Sequence, residues 1–172
     1  MTDTDARWLA PGTVVSLTAW PGAAASLAER VRGAFGLELA ASGRWTEAGD
    51  LVCIRLGPDH WQIERAGTHD LARDLTTAAG PDAGIIDISD ARVVLRLSGP
   101  ASPEILACLL PLDLHPRAFA PHHAASTVAA HITVQFRQID TIPTYDIACL
   151  RSYADSLRRA VAQAGGRRIR IA

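Results

Sequence analysis

Lysine and asparagine are absent from this chain, and all 17 of its basic residues are arginine. Without lysine no side chain can form a Schiff base, and no phosphate-cradling loop can carry its usual lysine. The bias itself reads as GC-rich codon usage. Cysteine is sparse: Cys53, Cys108 and Cys149, none in a C-x-x-C pair. That excludes a disulfide framework, and an odd number of dispersed, buried thiols fits a reducing cytosol. No apolar run approaches the roughly 20 residues of a membrane span. The opening Met1-Thr2-Asp3-Thr4-Asp5 is acidic and polar, unlike a signal peptide. A cytoplasmic location is therefore expected. A net charge of −1 leaves no basic excess for general binding to nucleic acid or a membrane surface.

What is present is an ordinary globular composition, 48% hydrophobic and 20% charged over 172 residues. Aromatics are only 5%, but Ala, Leu, Val and Ile supply a core. Residues 1–12 read as an extended N-terminal arm ending in Pro11-Gly12. Residues 13–172 read as one domain, with pseudo-repeat halves at about 13–90 and 91–164. Two near-repeats, Arg55-Leu56-Gly57-Pro58 and Arg96-Leu97-Ser98-Gly99-Pro100, each close a strand-like run with a Gly-Pro break and suggest the duplication.

In the first half, Val14 to Ala19 is β-rich. Leu27, Val31 and Phe35 fall four apart as a helical stripe ended by Gly36. Leu51 to Leu56 and His60 to Glu64 form a hairpin around Gly57-Pro58-Asp59. Thr68 can cap a helix through Ala79, and Ile85 to Ile88 is a short strand. The second half offers a strand at Val93 to Leu97. A helix opened by Pro103 presents Ile105, Leu106, Leu109 and Leu110. Pro111 to Thr127 has no period and reads as a connecting loop. Strands follow at His131 to Ile139 and Thr144 to Leu150. The last helix starts with a Ser152/Asp155 capping box and ends at Gly165-Gly166. The expected fold is α+β: two ferredoxin-like β-α-β-β-α(-β) halves packed as one domain.

Candidate chemistry is thin. His115, His122, His123 and His131 invite a metal reading. Adjacent His122 and His123 cannot share a helix face, however, and no acid or thiol stands at metal spacing. Asp87 and Asp90 flank Ser89 as an acid-base pair would, yet an Asp-rich turn bonding its own backbone explains them better. Asp113 reads as a loop-anchoring carboxylate, or else as a buried acid facing a partner or ligand. Ser98-Gly99 lacks the G-x-S-x-G setting of a nucleophile, and no G-x-G-x-x-G follows the first strand. No catalytic, cofactor-binding or metal residue is therefore assigned to this chain. The candidates for a partner interface are Trp8, Arg167, Arg168 and Arg170. Trp8 either packs back on its own domain or anchors a partner. The tail Arg167-Arg168-Ile169-Arg170-Ile171 is a short edge strand, a docking tail or a frayed end.

Several motifs then converge: Val15-Ser16-Leu17-Thr18-Ala19-Trp20, Leu56-Gly57-Pro58-Asp59-His60-Trp61, Asp87-Ile88-Ser89-Asp90-Ala91-Arg92 and Leu97-Ser98-Gly99-Pro100. Leu112-Asp113-Leu114, Phe119-Ala120-Pro121 and Arg151-Ser152-Tyr153-Ala154-Asp155-Ser156-Leu157 continue the series. In order and spacing they resemble the gamma subunit family of heterotetrameric sarcosine oxidase, from about residue 13 to 164. The resemblance implies a fold similar to part of the folate-binding aminomethyltransferase (glycine-cleavage T-protein) fold. It also implies a noncatalytic structural role beside alpha, beta and delta subunits. Those partners would hold FAD, FMN, NAD, zinc and tetrahydrofolate, and none would be held by this chain. The implied complex demethylates sarcosine or a related N-methyl amine. The alternative it raises is a free-standing folate-binding protein of the aminomethyltransferase type.

Overall fold

The computed structural model describes residues 4–10, 12–67 and 70–171. Pro11 and Thr68, to which the sequence assigns a break and a cap, lie outside the described residues. The chain divides into two compact units: Ala10–Asp90 (the first unit), and the residues up to Leu9 together with those from Ala91 onward (the second unit). In chain order the elements run β1 (Thr4–Trp8), β2 (Gly12–Ala19), α1 (Ala24–Phe35), β3 (Trp45–Ala48), β4 (Leu51–Gly57), β5 (His60–Ala66), α2 (Leu71–Ala79) and β6 (Ala83–Asp87). They continue with β7 (Arg92–Ser98), α3 (Ser102–Ala107), β8 (Ala124–Ala129), β9 (Ile132–Asp140), β10 (Thr144–Leu150), α4 (Ala154–Gly165) and β11 (Ile169–Ile171).

The first unit is an antiparallel sheet in the order β3-β4-β5-β2-β6. Removing the edge strand β3 leaves the ferredoxin-like arrangement, in which the two crossover helices separate strands that another strand splits. Alternation sets the faces. Val15, Leu17 and Ala19 of β2, Cys53 of β4, and Trp61 and Ile63 of β5 turn inward. Leu27 and Val31 of α1, and Leu71, Leu75 and Ala79 of α2, complete the core with them. Gly36, at φ 65°, closes α1 in the left-handed conformation that glycine enters without penalty. Asp70 caps α2, its carboxylate accepting from the Arg73 N–H at 3.2 Å. In the β4–β5 hairpin Asp59 takes the left-handed turn position, φ 51°.

The second unit is a sheet in the order β11-β1-β7-β10-β9-β8. Strands β7, β9 and β10 with α3 and α4 repeat the same frame. In the ferredoxin-like order the fourth strand lies beside the first. Here β1 holds that place, antiparallel to β7, and β11 pairs parallel with β1 at the edge. The segment that reads from sequence as an arm thus carries an interior strand, with Ala6 wholly buried in it. The tail resolves as the edge strand. The core unites Leu95, Leu97, Ile105, Leu106, Ile147, Leu157 and Val161. A run of rings joins it: Phe119 lies 5.2 Å from Phe136, and Phe136 stacks on Tyr145 at 5.3 Å.

Four local readings change. The sequence showed no strand at Trp45–Ala48, where polar Thr46 and Glu47 break the apolar pattern of an edge. Strand β8 begins inside the stretch read as loop. Ser152 lies in a 3₁₀ turn, and Tyr153 precedes α4 with no side-chain cap, so the capping box is not made. Cys108 is exposed, whereas Cys53 and Cys149 are buried as expected. The two near-repeats also occupy non-equivalent places: Arg55-Leu56-Gly57 ends the second strand of its frame, and Arg96-Leu97-Ser98 the first strand of the other.

Candidate functional site

The chemically richest place is the helix-free face of the second sheet. Alternation along β7, β9 and β10 turns apolar side chains toward α3 and α4 and leaves Arg96, Arg137 and Asp146 on the opposite face. Asp146 stands in register between the two arginines, opposite Arg96 on one side and Arg137 on the other. Its carboxylate is 2% exposed. Arg96 binds it through two parallel bonds, Nε to Oδ1 at 2.7 Å and Nη2 to Oδ2 at 2.9 Å. Arg137 adds Nε at 3.2 Å and Nη2 at 2.9 Å, both to Oδ2. Forked, charge-assisted bonds of this kind fix orientation as well as charge. They push the Arg96 guanidinium further toward its charged form, against the opposing effect of its burial.

Beside the triad opens a cavity of about 540 Å³, lined by Arg7, Arg96, Asp140 and neighbouring residues. Ser98 and Thr144 join at 2.9 Å between their hydroxyl oxygens in its wall. At its rim Asp5 and Arg170 form an ion pair at 2.8 Å. Sequence reasoning did not single out Arg7, Arg96, Arg137, Asp140 or Asp146. The available signal was one carboxylate inside the otherwise apolar run Thr144–Leu150, and polar residues alternating along Ile132–Asp140. Which polar residue faces which depends on strand order.

The residues that the sequence did single out fall elsewhere. Asp87 Oδ1 accepts from the Ser89 N–H at 2.9 Å, and Ser89 Oγ accepts from the Val14 N–H at 2.9 Å, which is turn chemistry. Asp90 lies on the same 3₁₀ turn. Asp113 Oδ1 takes the His115 N–H at 2.9 Å, anchoring its loop. Backbone N–H groups of Arg117 and Ala120 donate to Nδ1 of His115 and His123. Among the described residues no group of His, Cys, Asp and Glu is placed to hold a metal ion. No helix among them is long and apolar enough to cross a membrane. Burial lifts the Cys53 thiol to about 11 and raises that of Cys149, so neither is a ready nucleophile.

The structure does not bring Trp8, Arg168 and Arg170 together: Trp8 ends β1 beyond its pairing with β11, Arg168 lies in the turn before β11, and Arg170 in β11 pairs with Asp5 at 2.8 Å. Trp8 is half-buried against the core of the second unit. Arg168 reaches Glu104 at 2.9 Å and the Ala164 carbonyl at 3.1 Å. Arg167 is exposed in the turn that leads into β11.

Residues 18–166 match the family described as sarcosine oxidase, gamma subunit. The chain belongs to that family. Sarcosine oxidase subunit gamma of Arthrobacter sp. is 37% identical to it over 129 residues, 74% of this chain and 64% of the relative. The subunit gamma of Corynebacterium sp. (strain P-1) is 37% identical over 131 residues, with the same coverage. The chain thus spans 64% of the length of these curated relatives. Among solved structures it is similar to a chain of the heterotetrameric sarcosine oxidase from Corynebacterium sp. U-96 in complex with pyrrole 2-carboxylate. There the TM-score is 0.84 at 30% identity, over 94% of this chain and 83% of that one. The glycine cleavage system aminomethyltransferase T from Bartonella henselae shares the fold, with a TM-score of 0.71 at 14% identity over 98% of this chain and 47% of that chain. This gamma-subunit-family member is therefore an α+β protein whose fold is similar to part of an aminomethyltransferase.

Proposed function

We propose that the chain is the noncatalytic structural subunit of a heterotetrameric, flavin-dependent sarcosine oxidase or related N-methyl amine demethylase, working in the cytoplasm. In that assembly the partners, of alpha, beta and delta type, hold FAD, FMN, NAD, zinc and tetrahydrofolate. They convert sarcosine, tetrahydrofolate and O2 to glycine, methylene-tetrahydrofolate and H2O2. The observation that carries this reading is the structural match at TM-score 0.84 over 94% of the chain. The surface supports it: Trp20, Ile86, Ile142, Leu150 and Tyr153 all stand more than two-fifths exposed, as anchors awaiting a partner would. Trp8, Arg167, Arg168 and Arg170 belong to the same reading as partner contacts, tryptophan and arginine being enriched at interfaces.

The test is to tag the chain in its native host, purify it gently, and record its partners by mass spectrometry together with the visible spectrum. Co-purification of larger subunits with flavin absorbance is expected. A colourless chain that comes through alone overturns the reading. The similarity to an aminomethyltransferase favours one alternative, a free-standing folate-binding protein. Saturable tetrahydrofolate binding by a partner-free chain is the result that would select it.

A further inference from the structure

The cavity beside the Asp146 triad holds two charged groups, Arg7 and Asp140, that make no ion pair among the described residues, although the Asp140 carboxylate also acts on Arg96. Arg7 stands directly across from Arg96 in the β1–β7 register, on the same face. Arg96 and Arg137 already share the single carboxylate of Asp146. The row Arg137, Asp146, Arg96, Arg7 therefore carries three cations and one anion. Like charges set directly opposite on adjacent strands cost stability. Among the described residues no carboxylate lies within ion-pair distance of Arg7; Asp5, two residues earlier on the same face of β1, is taken by Arg170.

At the other side of the cavity Asp140 ends β9. Its Oδ1 is buried and has no hydrogen-bond partner, a costly state for a carboxylate oxygen. Between the two lie the hydroxyls of Ser98 and Thr144, which bond each other. The backbones of β1 and β9 are three strand spacings apart, roughly 14 Å. An arginine and an aspartate reaching toward each other close part of that gap. A molecule with opposite charges a few bonds apart fits what remains. The volume, about 540 Å³, lies in the range of small-molecule sites, roughly 300–1,000 Å³.

We propose that this cavity binds a small zwitterion of the α-amino-acid class, its carboxylate on Arg7 and its ammonium on Asp140. A simple anion satisfies Arg7 and is repelled by Asp140. A simple amine does the reverse. Only a ligand bearing both charges meets both groups at once. The site follows from charges in this chain and stands whether or not the accessory-subunit reading does.

The experiment is isothermal titration of the full-length chain with glycine, the smallest such zwitterion, against acetate and methylammonium as single-charge probes. Saturable binding of one glycine is expected, at least tenfold tighter than either control. Arg7→Gln and Asp140→Asn should each weaken glycine at least tenfold, with circular dichroism showing both variants folded. Where the chain is obtained only with partners, equilibrium dialysis of labelled glycine on wild-type and variant complexes takes its place, and each variant should lose one bound equivalent. No saturable glycine binding, or an undiminished equivalent in the variants, overturns the proposal. Acetate binding as tight as glycine and indifferent to Asp140→Asn also overturns it, leaving an anion site. Variants that leave glycine binding intact but release the partner subunits overturn it too, and assign the cavity to partner side chains.

Discussion

The two units place different chemistry at the same point of the same frame. In the first, Leu17 pairs with Trp61, and the next pair along is Ser16 with Gln62, flanked by Ile54. In the second, Leu97 pairs with Tyr145, and the next pair is Arg96 with Asp146, flanked by Arg137. Ser16–Gln62–Ile54 and Arg96–Asp146–Arg137 are therefore equivalent triples. On the helix-covered side the two cores are interchangeable in character. On the helix-free side the triple of one unit is uncharged, with Gln62 Nε2 donating to the Glu64 carboxylate at 2.7 Å and Ser16 Oγ 2.9 Å from His60 Nε2. The other is ionic. The fold needs only one apolar face, and the opposite face is open to specialisation.

The largest effect should come from breaking the ionic triple. Asp146→Ala removes the carboxylate that two guanidinium groups share, one of them 9% exposed, and should cost about 3–5 kcal/mol in urea unfolding. The combined change Asp146→Leu, Arg96→Met and Arg137→Met should recover most of that loss, because the equivalent Ser16–Gln62–Ile54 triple shows that the frame does not need charge there and apolar replacement of a buried ion pair is often neutral. A triple variant as unstable as Asp146→Ala would show that the frame demands charge there.

Next in size is a pH effect confined to the first unit. Burial holds the Cys53 thiol protonated up to about 11 against an ordinary value of 9.0. The folded form therefore keeps its proton more tightly than the unfolded one. The stabilisation is complete below pH 9 and disappears as pH rises toward 11, by at most about 3 kcal/mol. Unfolding free energies at pH 8.5 and 10.5 should differ less in Cys53→Ala than in the native sequence. An equal drop in both would exclude Cys53 as the source.

Third comes the close of α4. A Cβ at Gly165 would stand 2.2 Å from Ile169 Cγ2, so Gly165→Ala should force β11 off its edge position at a cost of about 1–3 kcal/mol. Gly33 in α1 has nothing within 4 Å of such a Cβ, and Gly33→Ala should stabilise by about 0.5–1 kcal/mol. Thermal melts of the two variants should move in opposite directions. The smallest change is expected from Gln62→Leu, the neutral counterpart of Asp146. Gln62 is wholly buried with its Oε1 unpartnered. Its loss should therefore shift stability by no more than about 1 kcal/mol. A cost like that of Asp146→Ala would erase the distinction between the units.

Period and breakers made most of the frame legible. Leu27, Val31 and Phe35 announced α1, and Gly57-Pro58-Asp59 announced the β4–β5 hairpin. The family resemblance carried by the ordered motifs is matched by the comparisons. Strand β3 escaped because an edge strand needs no apolar alternation. Strand β1 read as an arm because Thr4 to Trp8 is short and charged, and its partners lie about ninety and more residues downstream in sequence. The triad escaped for the same reason. Arg96, Arg137 and Asp146 are unremarkable singly, and only the order β7-β10-β9 makes them neighbours. The histidines and Asp87 drew attention by clustering in sequence, yet Asp87, His115 and His123 accept backbone N–H bonds of their own turns.

Strand β1 has a consequence for assembly in time. It leaves the ribosome before any other described strand, yet it pairs with β7, from the middle of the sequence, and with β11, its last described strand. Ala10–Asp90 is in effect a folding unit inserted into the connection between β1 and β7. All of that unit's strands are available early, and it can fold while synthesis continues. At the usual 5–20 residues per second the sheet of the second unit stays open for roughly 4–16 s longer. During that wait β1 is an unpaired strand on a nascent chain, the state in which sheet edges invite mispairing. Its charges, Asp5 and Arg7, fall at the positions where a nascent edge is best guarded.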